Sequence, residues 1–309
     1  MAMQHACVPC RLALRGIVLC WLALTLGMAG APASAQTLPT AAETLTPGDL
    51  DSEHLFGFTE GSDLGVPGEA ELEWETSGRL GRRLGRFLTV DSGLALKMPL
   101  TNAFRLAPGV TFNASDIGTP GELTRTTGGF NGGFLETRLR LLDRRAAPFG
   151  LTLNLVPGYG TVDGGSGAPA RSFGTEVGLL ADREVIPDTL VAALNASFAF
   201  SSTRMNVTNA HLLGSGIEVS AALAYRVQPG VFLGGEVRYA RTYEGLTLDR
   251  FAGDAVYIGP TAYTNLSPHA WASFTWSFQV AGQALGEPGP LDLSNFDRHQ
   301  MRLRVGYNF

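Results

Sequence analysis

The C-terminal stretch Gln300–Phe309 alternates without a break. Met301, Leu303, Val305, Tyr307 and Phe309 fall on one face, and Arg302, Arg304, Gly306 and Asn308 on the other. A period of two excludes a helix and describes a strand with one apolar and one polar face. Only two partners suit the apolar face: a second sheet in a soluble sandwich, or lipid around a barrel whose polar face turns inward.

The same pattern recurs from about residue 69. It predicts twelve strands, over 69–78, 87–101, 103–115, 130–142, 149–162, 171–183, 190–202, 215–227, 231–243, 254–266, 270–282 and 298–309. The tenth has no clear polar face. Connections after even-numbered strands are tight, as at Thr101-Asn102 and Gln228-Pro229-Gly230. Most after odd-numbered strands read as long loops: Asp116–Gly129, Gly164–Ala170, Thr203–Gly214, Glu244–Gly253 and Gln283–Asp297. Short turns at one end and long loops at the other are the outer-membrane arrangement of periplasmic turns and extracellular loops. The expected fold is therefore all-β: a transmembrane up-and-down antiparallel barrel of about twelve strands.

Charge placement separates barrel from sandwich. Glu71, Glu73, Glu75, Asp91, Glu136, Glu176, Asp182, Glu218 and Glu236 fall on inward positions, as do Lys97, Arg105, Arg138, Arg140, Arg226, Arg238, Arg302 and Arg304. Outward mid-strand positions read as uncharged. A base facing lipid at mid-depth costs about 2–4 kcal/mol, so a bilayer enforces this segregation. Phe87, Tyr159, Tyr257, Phe278, Tyr307 and Phe309 are expected outward, in the interfacial aromatic girdles.

Ahead of the strands, Arg11 and Arg15 precede an apolar core, Gly16–Met28, and Ala33-Ser34-Ala35 before Gln36. That is the layout of a Sec signal peptide over residues 1–35. Cys7, Cys10 and Cys20 all lie within it, so the expected mature chain has no cysteine for disulfides, thiolate catalysis or zinc. Residues 36–68 lack alternation but hold an apolar island, Leu55-Phe56-Phe58. They are expected on the periplasmic side, either tucked into the barrel mouth or free as a flexible leader. The barrel itself spans 69–309.

A terminal Phe309, with Tyr307, Val305, Leu303 and Met301 before it, resembles the C-terminal signature of Gram-negative outer-membrane β-barrels. The resemblance implies outer-membrane localisation, contact with lipid and lipopolysaccharide, and Tyr307 and Phe309 as the signal read by the barrel-assembly machinery. The opening run His54–Asp63, followed by Gly68-Glu69, looks like that of uncharacterised transporter-like barrels near the MetA-pathway-of-phenol-degradation group.

The chain is 17% charged with a formal net charge of −5, which fits neither a disordered chain nor a dedicated nucleic-acid binder. No catalytic, cofactor or metal motif stands out. His211, His269 and His299 fall in loops, in turns or at a strand start, although His211 or His299 with Asp249, Asp254, Asp292 or Asp297 could form rim pairs of a protease type. About eight strands fill their interior and sixteen or more leave a channel; twelve lies between. Three readings stay open: a channel or transporter for small polar solutes through a narrow charged lumen, gated by glycine-rich loops near 128–133 and 164–167; a plugged structural or loop-presenting barrel; and an outer-membrane enzyme. The first is preferred and the chain is expected to be no enzyme.

Overall fold

A computed structural model describes residues 50–83, 85–118 and 124–309. The expected signal peptide, its cysteines and residues 36–49 lie outside the described residues. Twelve strands follow in order: β1 (Glu71–Leu80), β2 (Arg86–Thr101), β3 (Phe104–Gly118), β4 (Arg125–Leu142), β5 (Gly150–Val162), β6 (Pro169–Ile186), β7 (Leu190–Met205), β8 (His211–Gln228), β9 (Val231–Glu244), β10 (Arg250–Ser267), β11 (Ala270–Ala284) and β12 (His299–Asn308). Each pairs antiparallel with its neighbours, and β1 with β12 closes the barrel. Closure leaves no unpaired edge, as a backbone surrounded by hydrocarbon requires. At the seam Leu72 faces Tyr307, Trp74 faces Val305 and Glu75 faces Arg304.

The burial is that of a soluble protein turned inside out. Leu135, Leu179, Leu194, Leu223, Ile258 and Phe274 are exposed on the exterior, while Arg105, Arg138 and Arg304 are among the largest fully buried side chains. Apolar surface on this scale outside and charge inside are what a bilayer selects.

Several expectations need correcting. Pairing continues past the expected strand ends, so Thr203–Gly214 and Glu244–Gly253 shrink to connections over 206–210 and 245–249, and among the fully described connections only 285–298 remains long. Backbone groups there are satisfied by the ladder even where side-chain alternation fades. Gly128–Gly133 is not a loop but part of β4. Phe87 and Tyr257 point inward rather than into a girdle. Phe87 is buried beneath the Arg82 guanidinium, 4.2 Å from its ring centre, and the buried Tyr257 hydroxyl donates to Asp297 O at 2.6 Å. Phe87 shares the parity of Asp91 and Lys97, which settles its face. The outward face is also not free of charge. Arg241 and Asp254 are cross-strand neighbours near the loop-bearing end; Arg241 lies over Phe251, and Asp254 accepts from the Tyr239 hydroxyl at 3.1 Å. Near an interface the cost of such charges falls to about 0–1 kcal/mol.

Candidate functional site

The lumen is occupied at the end where β1 begins and β12 finishes. The chain reaches β1 through Ala70, which exchanges backbone hydrogen bonds with Phe309. Before that point, residues 52–64 fold back inside the barrel. Leu55 and Phe56, fully buried, pack on Val191, Ala193, Ala222, Ala224 and Phe232. Apart from Phe232 these wall positions are small, which makes room for the two large side chains. Gly57 comes so close to the wall that a Cβ there would sit 2.6 Å from Glu236 Oε1 and from Thr275 Cβ; the approach requires glycine.

Charge anchors the rest of this segment. Glu53 binds Lys97 at 2.7 Å, Arg105 at 2.5 Å and Arg138 at 3.4 Å. Burial alone would raise its pKa, but Arg105 and Lys97 hold the carboxyl well below the usual range. His54 stacks on Trp271, ring centres 3.7 Å apart, with Nε2 3.3 Å from Glu71 and Nδ1 3.6 Å from Glu73. His54, Glu71 and Glu73 lie close enough to share a metal ion. The Lys97 ammonium already sits there, 3.1 Å from Glu71 and 2.8 Å from Glu73. Further along, the Phe58 and Thr59 amides donate to Glu236 at 2.8 and 3.0 Å, and Arg238 lies 3.9 Å over the Phe58 ring. Glu60 binds Arg138, Arg302 at 2.9 Å and Arg304 at 3.7 Å. Ser62 donates to Asp182 at 2.6 Å, and Asp63 binds Arg144 at 2.6 Å with Arg140 at 3.7 Å.

Most of the inward charges read from the sequence therefore meet this segment. Of the others, Glu75 binds Arg302 at 2.5 Å, Glu136 binds Arg105 at 2.5 Å and Glu218 binds Arg238 at 3.3 Å. Asp91 pairs with Arg79 at 3.1 Å near the loop end, and Arg226 with Asp188 at 2.6 Å in a terminal-end turn. Glu176 has no hydrogen-bond or ion-pair partner among the described residues. Glu73 goes to Lys97, while Arg304 donates to Phe56 O at 3.1 Å and Ser273 Oγ at 3.3 Å. Tyr307 and Phe309 are exposed on the exterior.

Trp271, Glu53, Glu60, Asp63 and Arg144 were missed as site residues. The acids had a signal: Asp51–Asp63 carries four carboxylates and no Lys or Arg, in a segment next to a lumen rich in arginine. His211 is not in a loop; it starts β8 and shares a 2.8 Å hydrogen bond with Ser202 on the exposed face. Its other ring nitrogen has no protein partner among the described residues, so no triad forms. Asp297 is taken by Arg82 at 2.8 Å.

The segment divides the interior. On the loop side lies a cavity of about 980 Å³ with Phe58 and Glu60 in its lining and Asn154, Glu176, Asn195 and Glu218 on its wall. On the terminal side Asp51, Glu53 and Leu64 line a space of about 100 Å³.

Solved structures with this fold include an outer membrane channel from Pseudomonas putida F1, 15% identical over 86% of this chain and all of that one, with a TM-score of 0.53. The beta domain of the Bordetella autotransporter BrkA is 13% identical over 78% of this chain and all of that one, with a TM-score of 0.52. At such identities the likeness is one of fold. No curated protein matches the sequence. The model of a family of unknown function (DUF6662) matches residues 49–309, and the chain belongs to that family.

Proposed function

We propose that the protein is an outer-membrane channel for small polar solutes, exported by its signal peptide, whose lumen is closed at the periplasmic end by its own residues 52–64. The observation that carries this reading is the 980 Å³ charged cavity that ends on the segment's Phe58 and Glu60. A structural barrel has no need of such a vestibule. The apolar belt and the C-terminal aromatic strand support insertion into lipid and lipopolysaccharide by the barrel-assembly machinery. The likeness of the opening run to transporter-like barrels points the same way. Conduction then requires the segment to move.

A reversible tether tests this. A Cβ at Gly150 would lie 3.2 Å from Ser62 Cβ, close to the separation a disulfide spans. The three native cysteines all precede residue 36 and supply no competing thiol to a chain refolded from there. Ser62→Cys with Gly150→Cys should give single-channel steps in planar bilayers under reducing conditions and silence when oxidised. Equal conductance in both states would refute gating by this segment. Silence in both, with heat-modifiable folding intact, would establish the plugged structural barrel instead.

A further inference from the structure

Of the six bases around the cavity, Arg241 lies over Phe251 and the other five are engaged by acceptors. Arg138 and Arg302 bind Glu60, Arg238 binds Glu218, Lys97 binds Glu73, and Arg304 donates to Ser273. The buried side-chain atoms on the β5–β7 wall that have no hydrogen-bond partner, Asn154 Oδ1 and Asn195 Oδ1, are both acceptors. Glu176 projects into the cavity without a partner. Asn154 is only 6% exposed. A buried acceptor left unpaired is costly, so one that lines an open cavity marks where a donor belongs.

The register brings Glu176 and Asn154 together, while Asn195, opposite Leu180, lies farther along β7. Asn154 lies opposite Gly178 on β6, Gly178 lies opposite Ser197 on β7, and Glu176 is two residues from Gly178 on the same face. Gly178 leaves the middle of the patch open; a Cβ there would meet Ser197 Cβ at 3.7 Å and Asn154 Cβ at 3.9 Å, ordinary contacts. Diagonal positions on a sheet are about 7–8 Å apart. That spread exceeds the shell of a single metal ion, whose oxygen ligands sit at about 2.3–2.6 Å. It suits a molecule whose donors are separated by a few bonds.

We infer that the patch around Gly178 binds a small organic cation, an amine or guanidinium, with its charge on Glu176 and a further N–H group on Asn154. The inference rests on the cavity being the solute vestibule proposed above, and it names the solute class.

Calorimetry on the detergent-refolded full barrel would use 1,4-diaminobutane, with 1,4-butanediol and calcium chloride as controls. The diamine should bind at least tenfold more tightly than the diol, and more weakly as salt rises. Glu176→Gln should weaken it about tenfold, the scale of one charge-assisted hydrogen bond. Gly178→Leu, which fills the patch without a backbone clash, should abolish it. Equal binding of diol and diamine, diamine affinity unchanged in Glu176→Gln, or calcium binding that Glu176→Gln removes while the diamine shows none, would each overturn the proposal. Conductance is scored separately. A barrel that binds the diamine but never conducts keeps the site and loses the channel; one that conducts without binding does the reverse.

Discussion

Phe56→Ala should release the N-terminal segment while sparing the barrel. Phe56 is fully buried among Val191, Ala193, Ala222, Ala224 and Phe232. Truncating a buried phenylalanine costs about 3–5 kcal/mol, most where the surroundings cannot collapse. Here they cannot, because the wall is a closed hydrogen-bonded ladder whose backbone cannot move in to fill the space. The ladder makes no use of Phe56, so the loss falls on docking. At about 1.4 kcal/mol per decade, 3–4 kcal/mol raises the undocked population roughly 10²–10³-fold. A glutamyl endopeptidase reads that population at Glu60 in the folded barrel, since cleavage tracks the open fraction when reclosing is fast. The expected result is cleavage at least about a hundredfold faster, more frequent channel openings, and nearly unchanged heat-modifiable melting. A rise below about threefold would mean that the apolar anchor does not hold the segment. A matching fall in barrel melting would mean that the segment is not separable from the wall.

The ion pairs give further tests. Arg302→Glu and Glu75→Arg should each lower the heat-modifiable unfolding temperature, and the double variant should recover part of the loss, with a coupling of about 1–3 kcal/mol for groups 2.5 Å apart; zero coupling would show that the two charges are independently solvated. Burial, with Asp51 and Asp182 nearby, pushes the Asp63 carboxyl up to about 6 against the pull of Arg144. A carboxyl raised on docking favours the docked state fully below its ordinary pKa of about 4, and that contribution is lost as pH climbs through 6. Cleavage at Glu60, normalised to a free peptide, should quicken between pH 5 and 7, and Asp63→Asn should flatten the step. A flat wild-type profile would refute this role.

The barrel was legible because lipid imposes a rule on every second residue. Arg302 and Arg304 flank Leu303, and no register other than inward-outward alternation accommodates all three. Strand ends were less legible, since near the interface the rule relaxes: Arg241 and Asp254 can face outward there. The tenth strand hid its inner face because that face is built from Tyr257, Thr261 and Tyr263 instead of charges. Residues 52–64 carry no period at all. What orders them is the wall they meet, and the match of Glu53 and Glu60 to Lys97, Arg105, Arg138 and Arg302 is a long-range pairing that no local spacing encodes.

That pairing also links docking to hydration. Lys97, Arg105 and Arg138 are all at most 5% exposed. Each draws one or more of its partners from the segment. Buried ion pairs add little net stability, but stripping one partner from a charge that stays buried costs about 3–5 kcal/mol. The segment therefore cannot leave a dry lumen behind it. Undocking exposes these bases, along with Glu71 and Glu73, and the cost is tolerable only if water enters with the departure. Around the docked segment the lumen is then dry because its charges are paired across residues 52–64, and after undocking it is wet because they are not. On the proposed channel reading, solute passage and water entry at the segment become one transition, in which the segment supplies both the stopper and the counter-charges that keep its own stretch of the lumen dry.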